Sequence, residues 1–185
     1  MKKDFIKPAV FLLLVAVISA SILGVTYTMT EGPIREQRAR AETAAVVDLL
    51  PETYFTEAVY LDIYNSSLTR VMTSFNADGE IIGYVFAASP VGYSGAINML
   101  VAVSPHGIVE GVRVIRHTET PGLGANITQD WFLNQFPGRS GFLSSSRSAA
   151  GADEIQIIAS ATISVEAVLR GVNDATEYFH EFVRQ

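Results

Sequence analysis

Two short stretches hold the residues best suited to chemistry. In one, the β-branched pair Ile157-Ile158 gives way to Ala159-Ser160-Ala161-Thr162, and a long amphipathic pattern follows. That change of period predicts a strand-to-helix turn with a hydroxyl at its apex. The first N–H groups of a helix lack intrahelical partners and the macrodipole favours an anion there, so such a turn can seat a phosphate. The plainer alternative is that Thr162 simply N-caps the helix. The other stretch is His117-Thr118-Glu119-Thr120-Pro121-Gly122-Leu123-Gly124, a tight loop turned by Pro-Gly. His117 and Glu119 could be read as a metal pair, but two ligands do not make a zinc site and no H-E-x-x-H is present. The pair then serves to fix the loop to its neighbours.

Several chemistries are excluded by what is missing. The chain has no cysteine, so disulfides, thiolate metal sites, iron–sulfur clusters and c-type haem attachment are ruled out. No G-x-S-x-G elbow supports Ser160 or Thr162 as a hydrolytic nucleophile. A Walker loop and a G-x-G-x-x-G before a helix are also absent.

The elements that must position these residues follow from periodicity. Residues 59–64, 69–75 and 80–88 are rich in β-branched and aromatic types and read as strands. Asn76-Ala77-Asp78-Gly79 turns the last two into a hairpin. Residues 96–104 and 108–116 make a second hairpin around Pro105-His106-Gly107, with His106 a solvated turn residue. Neither face of 108–116 is uniformly polar, so both faces should be covered. Between the hairpins lies the Gly-rich loop Gly92-Tyr93-Ser94-Gly95. Thr128 is expected to cap a short helix through Trp131, Phe132 and Phe136, and residues 137–151 read as an irregular excursion. In the closing helix, Val165, Val168, Leu169, Val172, Phe179 and Phe182 form the core stripe, leaving His180 exposed. The fold class is α+β: an antiparallel sheet with a C-terminal helix, behind one N-terminal span.

That span is the uncharged run 8–30. Roughly 20 helical residues cross a hydrocarbon core of about 30 Å, so it can serve as an anchor. It exceeds the usual signal-peptide core and no clean A-x-A site closes it, which favours retention over cleavage. Lys2, Lys3 and Lys7 precede it, so the positive-inside rule puts the N-terminus in the cytoplasm and the rest on the extracytoplasmic, periplasmic side of the inner membrane. Everything after Thr30 contains ten arginines, no lysine and eighteen acidic residues, a balance unsuited to nucleic acid. The expected organisation is an anchor (1–30), a juxtamembrane helix ending at Pro51 (31–52), and an extracytoplasmic domain (53–185).

Residues 117–124 resemble the H-x-E-T-P-G-L-G signature of the FMN-binding domain family, matching at eight consecutive positions. This family includes the G subunit of the Rnf electron transport complex, which the chain resembles more closely, and the C subunit of the sodium-pumping NADH:quinone reductase. Ala161-Thr162 resembles the end of the family's D-x-x-S/T-G-A-T flavinylation site, with Gln156, Ala159 and Ser160 standing at the other defined positions. The Gly92-Tyr93-Ser94-Gly95 loop resembles the G-Y-x-G segment upstream. The resemblance implies FMN joined through its phosphate to Thr162 by a separate flavin transferase. It also implies a flavin pocket shaped by His117, Glu119, Thr120, Leu123, Gly124 and Ala161, with Tyr93 as a lining residue. The implied role is an electron relay among the other membrane subunits of an Rnf-type complex coupled to Na+ or H+ transport, without stand-alone turnover. Two alternatives stay open: an assembly subunit of the same fold lacking covalent flavin, and an FMN carrier serving another extracytoplasmic reductase.

Overall fold

A five-stranded antiparallel meander forms the centre of the fold, with strands in the order β1-β2-β3-β4-β5. The computed structural model describes residues 2–61, 66–148 and 151–183. Its strands are β1 (Phe55–Tyr60), β2 (Leu68–Phe75), β3 (Ile81–Ala88), β4 (Asn98–Val103) and β5 (Val109–Arg116). Both expected hairpins are present, β2–β3 around Asn76 to Gly79 and β4–β5 around Pro105 to Gly107. The Asn76 side chain closes the first turn by accepting the N–H groups of Asp78 and Glu80. The strand expected at 59–64 is present as β1, which begins earlier, at Phe55, and the expected residues 62–64 fall outside the described residues. Its register pairs Phe55 with Phe75, whose rings stack at 4.7 Å, a cross-strand aromatic contact that carries the pairing ahead of Val59.

The chain divides into two units, Met1–Ala41 and Glu42–Gln185. A single helix, α1 (Lys2–Leu49), takes in both the apolar span and the helix expected after it. In the first unit it is long and apolar enough to cross a membrane, and none of its apolar window is buried. Ser21, Thr26, Thr28 and Thr30 each donate to a carbonyl one turn back, which satisfies their hydroxyls without water.

Within the second unit, both faces of the sheet are covered, as the mixed pattern of β5 requires. Phe86, Ala88, Met99, Val101 and Val103 face the main core, whereas Val85, Leu100 and Ala102 point the other way. Strand alternation therefore splits β4 between two cores and leaves it buried on both sides. The smaller core is closed by Ala45, Val46 and Leu50 from the end of α1. Two ion pairs fix this segment, Glu42 with Arg70 of β2 and Asp48 with Arg113 of β5.

The larger core is closed by α3 (Thr162–Tyr178), whose Val165, Val168, Leu169 and Val172 are buried as the stripe predicts. Phe179 is buried but Phe182 is 60% exposed, contrary to the expected stripe. The helix passes into a π-helical turn over Phe179–Val183, and this wider turn swings Phe182 off the apolar face. His180 is exposed, as expected.

The segment between sheet and closing helix also differs from expectation in detail. A 3-10 helix (Gly124–Thr128) comes first, followed by α2 (Asp130–Leu133), whose N-cap is Gln129. Thr128 does not cap it, because its hydroxyl bonds back to Ala125 O inside the 3-10 turn. The excursion over 137–151 is mostly irregular, but β6 (Ser144–Ser146) pairs in parallel with β7 (Glu154–Gln156). Buried Asn173 of α3 pins this excursion by bonding both the N–H and the carbonyl of Leu143, at 2.8 and 2.9 Å.

Candidate flavin site

Three segments distant in sequence meet at one end of the main core. The first is the loop joining β3 to β4, closed by a bond from Gly92 N–H to Gly95 O at 2.8 Å. The second follows β5, where the register skips Ile115 between the pairs Met99–Val114 and Asn98–Arg116. That bulge re-aims the chain just before His117. The third is the turn from β7 into α3.

Glu119 joins them. It is 5% exposed, and its Oε1 accepts the Ser94 N–H at 3.0 Å while its Oε2 accepts the Ser164 hydroxyl at 2.6 Å. Thr118 returns the first contact by donating to Ser94 O at 3.1 Å. Two glycines leave room for the carboxylate. A Cβ on Gly92 would come within 2.5 Å of Oε1, and one on Gly124 within 2.5 Å of Oε2 and 2.6 Å of Ser164 Oγ. Gly122 meets a different need, since its φ of +77° is the left-handed conformation of the Pro-Gly turn.

At the third segment, the Ala161 N–H donates to Ile158 O, closing a turn in which Ser160 has φ +66°. Ala161 is the N-cap, without a side-chain capping bond, and Thr162 is the first helical residue. The simple capping role considered for Thr162 is therefore not the one it takes. Its side chain is exposed and makes no hydrogen bond to any described residue. The first helical N–H to reach an intrahelical carbonyl is that of Val165, to Ala161 O, so those of Thr162, Ile163 and Ser164 precede the ladder.

A cavity of about 440 Å³ opens where the segments meet. Tyr93 lines it from the first, Glu119, Thr120, Leu123 and Gly124 from the second, and residues 160–164 from the third. Of the residues named from sequence, His117 alone is not in this lining. Its Nδ1 accepts the Glu119 N–H at 3.2 Å, which helps to fix the loop. The expected fixing role is thus met through the main chain of Glu119, while the carboxylate turns to Ser94 and Ser164. No cluster of potential metal ligands occurs among the described residues. Ser164 and Ile163 also line the cavity, which their place in the sequence announces only weakly. Ser164 is 1% exposed on the buried side of α3, and a polar residue on an apolar face calls for a buried partner.

A family model described as the FMN-binding domain matches residues 92–177, a span holding all three segments. A second, the RnfG N-terminal region, matches residues 1–48. The G subunit of the ion-translocating oxidoreductase complex of Pseudomonas aeruginosa is 30% identical over 195 aligned positions, covering 96% of this chain and 90% of the relative. The chain belongs to this G-subunit family. The G subunit of the Na+-translocating ferredoxin:NAD+ oxidoreductase complex of Acetobacterium woodii is 28% identical, with 96% and 92% coverage. In fold, the chain is similar to NqrC of Shewanella oneidensis, with a TM-score of 0.54 at 22% identity over 72% of this chain and 70% of that one. As a member of the G-subunit family, the chain is membrane-anchored by α1 and carries an FMN-binding domain.

The cavity fits FMN on its own features. Its volume lies within the range of about 300–1,000 Å³ usual for small-molecule sites. Leu123, Ile163, Ala161 and the Tyr93 ring offer apolar surface to a flat ring system. The free N–H groups and exposed hydroxyl at the start of α3 offer donors to a phosphate.

Proposed function

We propose that the chain carries FMN covalently on Thr162, through a phosphoester, and relays electrons between other membrane subunits of an Rnf-type complex that couples redox chemistry to Na+ or H+ transport. The observation that carries this reading is the meeting of Thr162 with the loop from Glu119 to Gly124 in one cavity. FMN supplies the capacity for one- and two-electron transfer, and the protein supplies position and electrostatics. With a flavin adenine dinucleotide as donor, Thr162 Oγ would form the bond to the flavin-side phosphorus as the bond from that phosphorus to AMP breaks, and the threonine proton would pass to the flavin transferase or to water. The N–H groups opening α3 then face the remaining phosphate charge. Leu123 and Ile163 offer apolar surface to the ring, and all three of Leu123, Ile163 and Tyr93 are exposed, which leaves that side of the cavity open to a redox partner.

Tyr93 and Glu119 are the titratable side chains in the lining, and Glu119 is already held by two donors. A cavity so short of acid–base groups supports relay rather than independent substrate turnover. The basic N-terminus supports an extracytoplasmic position for the domain.

The test is co-expression of the full chain with a flavin transferase, followed by in-gel fluorescence and intact mass. An FMN-sized adduct is expected on wild type and on Ser164→Ala, and none on Thr162→Ala. Wild type without adduct would overturn the flavoprotein reading in favour of an assembly role, which the unusual residues Gln156, Ala159 and Ser160 would then explain. Adduct persisting on Thr162→Ala would move the linkage to another hydroxyl.

A further inference from the structure

The cavity at the start of α3 offers an anion no cationic side chain. No lysine, arginine or histidine is among its lining residues, and its acidic residue, Glu119, is already engaged. If a phosphate sits there, neutral donors alone satisfy it: the opening N–H groups of α3 and whatever hydroxyls face the cavity.

Ser160 is one of those hydroxyls, and its backbone makes it unusual. It is the non-glycine residue with positive φ among the described residues, at +66°. Side chains of L residues adopt that region at a steric cost, whereas glycine enters it freely. The turn does not use the Ser160 side chain, since the Ala161 N–H to Ile158 O bond closes it through the main chain. The Ser160 residue is exposed, lines the cavity, and makes no hydrogen bond to any described residue. A strained residue whose side chain has no structural partner, placed at the mouth of a binding site, is a candidate for a ligand contact.

We propose that Ser160 is a phosphate-binding residue of this site, its hydroxyl donating a hydrogen bond to the FMN phosphate beside the start of α3. This rests on the flavin reading above. Ser160 then has a recognisable chemical preference: it favours a flavin bearing a phosphate over one without. Removing its hydroxyl weakens the phosphate contact and leaves the ring contacts of Tyr93, Leu123 and Ile163 untouched.

The experiment uses the full chain in detergent, produced without a flavin transferase, and titrates FMN and riboflavin by flavin fluorescence. Wild type is expected to bind FMN more tightly than riboflavin. In both Ser160→Ala and Ser160→Gly the Kd for FMN rises about tenfold, the scale of one hydrogen bond to a charged group, while the Kd for riboflavin does not change. The melting temperatures of the unliganded chains separate strain from chemistry, with Ser160→Gly rising above wild type and Ser160→Ala staying close to it. Equal FMN affinity in wild type and Ser160→Ala overturns the proposal, as does an equal loss for FMN and riboflavin. If wild type forms the Thr162 adduct and Ser160→Ala still binds FMN as wild type does, the role of Ser160 alone fails. If wild type forms no adduct and does not prefer FMN to riboflavin, both readings fail.

Discussion

Ser164 on α3 donates its hydroxyl to the Glu119 carboxylate at 2.6 Å, a buried contact between residues 45 apart in sequence. Through it the segment opening the closing helix is tied to the loop after β5. The second oxygen of the same carboxylate ties in the loop between β3 and β4 through Ser94. The walls of the cavity therefore share one buried group.

Removing that group should loosen the site as a unit. Glu119→Ala leaves the part-buried Ser94 N–H and the buried Ser164 hydroxyl without an acceptor, and an unsatisfied buried donor costs about 1–3 kcal/mol. A fall in melting temperature of about 5–10 °C is expected for a chain of this size, measured by near-UV circular dichroism in detergent. Glu119→Gln keeps a carbonyl acceptor and should lose about half as much. A Glu119→Ala chain that melts with wild type would show that the cavity walls are held by something else.

The glycines around Glu119 should differ by mechanism. Gly92→Ala and Gly124→Ala each place a methyl 2.5 Å from a Glu119 oxygen, so the carboxylate must leave its partners, at about 1–3 kcal/mol. Gly122→Ala meets no atom within 4 Å and has only its φ of +77° to contend with, at about 1–2 kcal/mol. Flavin loading, read as the adduct fraction by intact mass, should drop in the first two variants and persist in the third. Comparable loading in all three would separate the adduct from the position of Glu119.

The end of α1 should be indispensable to the domain. Leu50 is 7% exposed and packs in the small core with Met72, Val85, Leu100 and Ala102. Leu50→Ala should cost about 2–4 kcal/mol. A chain beginning at Glu42 should run as a soluble monomer on size-exclusion chromatography. One beginning at Glu52 exposes that apolar face and should self-associate. Equal monomer yield from the two would mean that the sheet tolerates this face uncovered.

Much of this architecture is legible in order along the chain. Alternation marked β2 to β5, and the Asn76–Gly79 and Pro105–Gly107 turns fixed their pairing, because hairpins are local. The stripe of Val165, Val168 and Val172 marked α3, because helical burial repeats every few residues. Less legible were features that depend on a neighbour. The position of β1 follows its pairing with β2, and the exposure of Phe182 follows a π-helical turn that no simple periodicity announces.

Read along the chain, the residues show that an uncharged run can anchor it, that cysteine chemistry is absent, and that Thr162 stands between a β-branched run and an amphipathic one. Each depends on composition or on neighbouring residues. Tertiary structure alone decided that Thr162 opens the helix rather than capping it, and that Ser160 lies in the left-handed region. It also decided that Glu119 turns away from His117 to accept from Ser94 and Ser164. The reason is physical: where a hydroxyl or carboxylate points depends on which distant donors and acceptors folding brings within about 3 Å, and spacing along the chain carries no record of them.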